Sequence, residues 1–170
     1  MEHLVRFFRP VLIGGGILCG LVPGLLLGQE HDVQADALAK KAEVVAVGRV
    51  TDLKAEWDQN KSRIVTRVTM AVGEYLKGGA GTVMTITSPG GEVDGVGEWY
   101  SHTARFAKDE DVVVFAEKDK KGNFRVSGGQ EGKISIKKDQ ASGEPRVSER
   151  VSLDEFKTKV KDAVRAQEIK

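Results

Sequence analysis

The sequence has a single cysteine, Cys19, in 170 residues. It sits inside an apolar N-terminal run, so the chain beyond that run holds no thiol. That excludes disulfides, cysteine zinc sites and thiolate nucleophiles there. Leu18 stands directly before Cys19, where a lipoprotein box needs a small residue, which argues against lipidation. Aromatic residues are few (6%), and proline occurs only four times. Neither sign of charge is in excess, with 26 Lys+Arg against 25 Asp+Glu. Beyond residue 28 the balance is 24 to 24. A balanced chain of this size argues against nucleic-acid binding, which needs a cationic face, and against a polybasic membrane anchor. No repeat of fixed period occurs, which excludes solenoids and propellers. Apolar residues still make up about 37% beyond residue 28, too many for a disordered chain and enough for one core.

The one long hydrophobic run lies at the start. His3, Arg6 and Arg9 form a positive n-region, and Val11–Leu27 follows without a charge, interrupted by Pro23-Gly24. This is the pattern of a signal peptide over 1–28. Cleavage after Gly28 places Leu26 at −3 and the helix breaker Pro23 at −6. A second candidate bond follows Ala35, with Val33 at −3. The alternative is a retained membrane anchor over residues 11–27. Seventeen residues are at the lower limit for spanning, and the glycines and proline weaken the helix. The expectation is therefore a periplasmic or extracellular protein, tethered to the membrane only if the leader is uncleaved. A small exported domain without disulfides suits a bacterial envelope.

Beyond an N-terminal arm, 29–41, in which 36–41 can form a helical turn or two, the periodicity is that of strands. Ala42–Leu53 is rich in valine, with Val45, Val47 and Leu53 on one face and Val44, Ala46 and Val50 on the other. Gly48 in its middle predicts a bulge or bend. Arg63–Val72 alternates strictly, with Ile64, Thr66, Val68, Met70 and Val72 on one face and Arg63 and Arg67 opposite. Tyr75–Gly79 closes that unit. Further strands are predicted at Thr82–Thr87, Val112–Ala116, Phe124–Ser127 and Lys133–Lys137, with a hairpin turn over Lys118–Asn123. Residues 138–151 read as a polar, mobile linker. Ser152-Leu-Asp-Glu155 is a capping box that starts a helix over 152–168, with Val151 placed to staple on Phe156. Leu153, Phe156, Val160 and Val164 form its apolar stripe. Connections too short for βαβ crossovers predict an antiparallel sheet. The expected fold is mainly β: a small antiparallel barrel over 42–137 with a C-terminal amphipathic helix packed on it.

Three segments carry a family resemblance: Ala42-Glu-Val-Val-Ala-Val-Gly-Arg-Val50, Val72-Gly-Glu-Tyr-Leu-Lys-Gly78 and Phe106-Ala-Lys-Asp-Glu-Asp-Val-Val-Val-Phe115. Together they resemble the A-D-x-V-x-x-G-x-V, V-x-x-x-L-K-G and F-x-x-G-E-x-x-x-V-F pattern of exported bacterial proteins with a netrin-like, OB-type barrel. The tissue inhibitors of metalloproteinases share that architecture. The likeness spans Ala42 to Ile136, and its motifs are mostly structural. Mostly uncharacterised exported proteins carry R-W-D, I-x-T-x-V and P-G-G-x-V-G-G; here these read Glu56-Trp57-Asp58, Ile64-Val-Thr66-Arg-Val68 and Pro89-Gly-Gly-Glu-Val-Asp-Gly95. Two departures stand out. Asp109 replaces the pattern's glycine, and the N-terminal cysteine through which the metalloproteinase inhibitors chelate zinc has no counterpart, so that mechanism is not carried over.

Candidate chemistry is sparse. Two histidines follow the leader, His31 on the N-terminal arm and His102 in the domain. Asp94, Glu98 and His102 lie close enough along the chain to suggest a metal-dependent hydrolase, one alternative reading. Another is a structural envelope protein tethered by an uncleaved leader. Ser88 lacks a nucleophile elbow. Pro89–Gly97 holds four glycines without P-loop residues after them and reads as a long turn, as does Gly128–Gly132. Trp57, Trp99 and Tyr100 sit near loop edges, where aromatics either plug barrel ends or grip a ligand. Trp57, Trp99, Tyr100, Glu98 and His102 are therefore the candidate binding residues. The leading expectation is a non-catalytic binding module of the cell envelope, engaging a protein partner such as a secreted protease. It calls for no metal or cofactor.

Overall fold

The computed structural model describes residues 35–79 and 81–169. The proposed leader with Cys19, the candidate cleavage bond after Gly28, His31 and residues 29–34 of the N-terminal arm lie outside them; of the second cleavage motif only Ala35 is described, and it is helical. No helix among the described residues is long and apolar enough to cross a membrane.

Residues 35–41 are helical (α1), and among the described residues ten strands follow before the C-terminal helix α2, Leu153–Glu168. Three antiparallel strands begin the sheet: β1 (Val44–Trp57), β2 (Ile64–Lys77) and β3 (Val83–Pro89). Then come the small hairpin β4 (Gly91–Val93) and β5 (Val96–Glu98), β6 (Asp111–Lys118) and β7 (Phe124–Val126). A 3₁₀ turn at Gly129–Gly132 leads to β8 (Lys133–Ser135). The main sheet has the order β1-β2-β3-β7-β6-β8, and β6 also pairs with β1.

The first three strands differ from their predicted bounds, and β2 runs to Lys77 rather than ending near Val72. One pairing departs from the expected all-antiparallel sheet: Ile86 and Phe124 join β3 and β7 in parallel. The chain leaves β3, passes through the β4–β5 hairpin and crosses to β6 beside β1. The tight turn at Lys118–Asn123 then returns β7 alongside β3 in the same direction.

Two apolar clusters explain the sheet. Val45, Leu76, Val113 and Phe115 meet the helical residues Leu38, Ala39, Phe156, Val160 and Ala163 on one side. Val44, Ala46, Val50, Val68, Met70, Met84, Ile86, Val112, Val114 and Ala116 form the other. β6 contributes to both, which is why its Val-Val-Val-Phe-Ala run does not alternate with polar residues. Phe115 and Phe156 meet edge to face, with ring centroids 6.4 Å apart. Ser152 Oγ accepts the Glu155 N–H at 3.2 Å, as the capping-box pattern requires.

The β1–β2 ladder shifts register between Val47 and Gly48, where an added Cβ would fall 2.2 Å from the Ala71 carbonyl oxygen. A further register shift occurs between Val50 and Asp52. The extra residue, Thr51, reverses the alternation, so Leu53 packs with Val50 and not with Val45 and Val47 as simple period-2 counting predicts. Residues 138–151 are not a plain linker. β9 (Lys137–Lys138) pairs with β10 (Pro145–Arg146), and Val147 and Val151 pack on the helical cluster. Asp109 has φ of 64°, the left-handed region that aspartate tolerates better than most residues.

Candidate functional site

The Pro89–Gly97 segment is more ordered than a long turn. Asp94 and Gly95 both have positive φ, 51° and 78°, as a two-residue hairpin loop demands. Asp-Gly between Val93 and Val96 is the signal for such a hairpin, so it was present in the sequence. The hairpin is fastened to the start of β2. Gly90 N–H donates to the Ile64 carbonyl at 2.9 Å, and Thr66 Oγ1 donates to the Gly90 carbonyl at 2.7 Å. Gly91 lies so close to Thr66, Ala55 and Ile64 that a side chain there would collide with them.

Glu98 completes this clasp. Its Oε2 accepts the Ile64 N–H at 2.9 Å and the Tyr100 hydroxyl at 3.1 Å. The hydrogen bond to a carboxylate holds the Tyr100 phenol above its ordinary pKa, with the Asp58 charge adding in the same sense. Trp57 ends β1 directly opposite Ile64 in the ladder. Ile64 is thus the ladder partner of Trp57 and the donor to Glu98, which in turn accepts the Tyr100 hydroxyl. Trp99 is engaged differently: the Arg105 guanidinium sits 5.5 Å from its ring centre, and the indole covers Gly97. Trp57, Val96, Trp99 and Tyr100 all remain exposed, Trp99 by 68%.

The candidate acid–base set does not assemble. Asp94 occupies the hairpin tip, whereas Glu98 pairs with Gly91 at its base. His102 has φ of 60°, and its carbonyl accepts the Gln130 N–H at 2.8 Å, tying the loop to the 3₁₀ turn. Among the described residues no group of three or more His, Cys, Asp or Glu is arranged to hold a metal ion. Ser88 is buried, and its Oγ donates to the Ala104 carbonyl at 3.3 Å, a structural link between β3 and the loop.

No protein-family model matches the chain, and no curated protein matches it.

Sequence reasoning missed a polar network beside the loop. Lys133 is ion-paired with Glu110, and its side chain is only 11% exposed. Lys133 Nζ donates to Ser135 Oγ at 2.9 Å, and Ser135 Oγ donates to Glu110 Oε1 at 2.6 Å. Burial pushes the Glu110 carboxyl up, but the Lys133 and Ser135 hydrogen bonds outweigh it and leave the pKa lowered. The ion pair and these two hydrogen bonds join β8 to the residue just before β6. No motif joins residues 110, 133 and 135; only the antiparallel pairing of β6 with β8 brings them together.

Proposed function

We propose that this chain is an exported, non-catalytic binding module of the cell envelope, built on a netrin-like OB-type barrel. Its partner is a protein, such as a secreted peptidase, gripped by the aromatic end around Trp57, Trp99 and Tyr100. One observation carries the reading. Of the six large hydrophobic side chains exposed among the described residues, four (Trp57, Val96, Trp99 and Tyr100) come from the β4–β5 hairpin, the residues just after it and the adjoining end of β1. Water-exposed aromatics on a clasped, pre-ordered support are what a partner site needs, because little ordering cost remains at binding.

The barrel is supported by the pairing order: β1 to β2, β3, β7 and β6, then back to β1, with one parallel pair between β3 and β7. OB-type barrels bind ligands at the face and loops beside their second and third strands, including the loop joining the first two. Here that loop is 58–63, flanked by Trp57. The left-handed backbone at Asp109, where the family pattern has glycine, agrees with the resemblance. Export rests on the charged start and apolar run of the leader. N-terminal sequencing of the exported protein tests it: a chain beginning near Gln29 supports export with cleavage. A chain still beginning at Met1 in the membrane fraction supports the tethered alternative.

Photo-crosslinking from position 99, compared with position 125 on β7, tests the site. An adduct of defined mass from position 99 alone supports it, and equal adducts from both positions contradict it.

A further inference from the structure

Beside the aromatic loop lies a cavity of about 590 Å³, lined by residues 100–103 and Arg105 on one side and Gln130, Lys133 and Ser135 on the other. We infer that this cavity is a carboxylate-binding site, taking a chain-terminal or side-chain carboxylate of a bound peptide. The inference names the partner chemistry of the binding-module reading and rests on it.

The cavity is preformed. Gln130 N–H donates to the His102 carbonyl at 2.8 Å, and a Cβ on Gly129 would strike that same carbonyl, so the two walls are locked together. Ser101, Thr103 and Gln130 are among its lining residues, and none of the described lining residues is acidic.

Its charge is specific. Lys133 lines the cavity but is neutralised by Glu110, which does not. Arg105 lines it too and has no carboxylate partner among the described residues; it is held over Trp99 instead. Among the arginine and lysine residues that line the cavity, Arg105 is therefore the one uncompensated positive charge. That suits a singly charged oxyanion better than a phosphate dianion. An arginine guanidinium carries the paired N–H edge that a planar carboxylate accepts in bidentate fashion. A carboxylate fills only part of this volume, so the residue bearing it enters as well. A larger groove of about 1240 Å³ shares His102, Gln130, Lys133 and Ser135 with the cavity, and Ile134 and Val147 give it apolar walls for neighbouring residues. Arg105 thus links the exposed indole to the cavity, so that one peptide can contact both.

The test is an NMR titration of the exported protein, following the Trp99 indole N–H and the Arg105 Nε–H. The probes are three N-acetylated hexapeptides of otherwise uncharged residues: one with a free C-terminal carboxylate, one C-terminally amidated, and one amidated with a central glutamate. The expected result is saturable movement of both signals with at least one carboxylate-bearing peptide and none with the uncharged one. Which of the two binds identifies the source of the carboxylate. Arg105→Gln weakens that binding at least tenfold, whereas Arg125→Gln, whose arginine pairs with Glu117 elsewhere, leaves it unchanged. Equal shifts with the uncharged peptide, equally strong shifts with inorganic phosphate, or unaltered binding by Arg105→Gln overturn the inference. If it is overturned while Trp99→Ala still weakens partner capture, the carboxylate site alone falls. If the peptides bind while Trp99→Ala leaves capture unchanged, the site stands and the aromatic partner site falls.

Discussion

Glu98 Oε2 receives the backbone N–H of Ile64 at 2.9 Å, which anchors the β4–β5 hairpin to the first residue of the second strand. An acid that proximity along the chain offers for catalysis is thus occupied in holding two strands together. The Tyr100 hydroxyl on the same oxygen makes the aromatic loop depend on that contact.

Removal of the carboxylate exposes this dependence. Glu98→Ala leaves a partly buried N–H without its partner and lowers stability by about 1–3 kcal/mol. Glu98→Gln keeps an acceptor oxygen and costs less. Urea denaturation of the two variants measures the difference; an unchanged midpoint in Glu98→Ala would show that the Ile64 contact contributes nothing.

Val68 and Arg67 are adjacent in β2 but opposite in burial. Val68 is fully buried in the second cluster, whereas Arg67 is exposed and ion-paired with Glu56. Val68→Asp places an unpaired charge in the core at a cost of several kcal/mol, a large part of the roughly 5–15 kcal/mol of a whole domain, and prevents folding. Arg67→Ala costs about 1 kcal/mol or less, the range for an exposed pair. Circular dichroism and thermal melts of both variants check the register.

Stability is expected to fall on acidification. Glu74, hydrogen-bonded by Lys161 and Lys157 of α2, and Glu110, hydrogen-bonded by Lys133 and Ser135, both have pKa values below that of a free glutamate. A lowered folded-state pKa stabilises the protein above the unfolded value, about 4.3, and that stabilisation is lost as pH falls through the folded value. Denaturant midpoints measured from pH 6 down to pH 3 should therefore decline. Glu110→Gln should make the decline shallower while lowering stability at pH 7 by on the order of 3 kcal/mol, because Lys133 is left nearly buried without its carboxylate. An unchanged acid slope in that variant would show that the pair does not titrate on unfolding.

The elements legible in the sequence are those whose pattern is local. Ile64 to Val72 alternates over a regular stretch of β2, and Ser152 with Glu155 marks the start of α2 by a hydrogen bond between neighbours. Leu53 was misplaced because a bulge at Thr51 reverses alternation without any glycine or proline to announce it. The parallel Ile86–Phe124 pairing depends on where a distant hairpin returns, which no local pattern encodes. At the site, the exposed aromatics were legible as loop-edge residues. The Glu98–Ile64 clasp and the Arg105–Trp99 contact, by contrast, join positions that only the folded chain brings together.

The central claim is that the aromatic end captures a partner without chemistry. Its most direct test is titration of the partner crosslinked at position 99 against wild type, Trp99→Ala and His102→Ala. A buried aromatic anchor carries about 2 kcal/mol or more, so Trp99→Ala should weaken binding at least roughly tenfold with the fold intact, and His102→Ala should leave it within about twofold. Unchanged binding by Trp99→Ala, or a hydrolytic activity or stoichiometric metal lost with His102→Ala, would contradict the account.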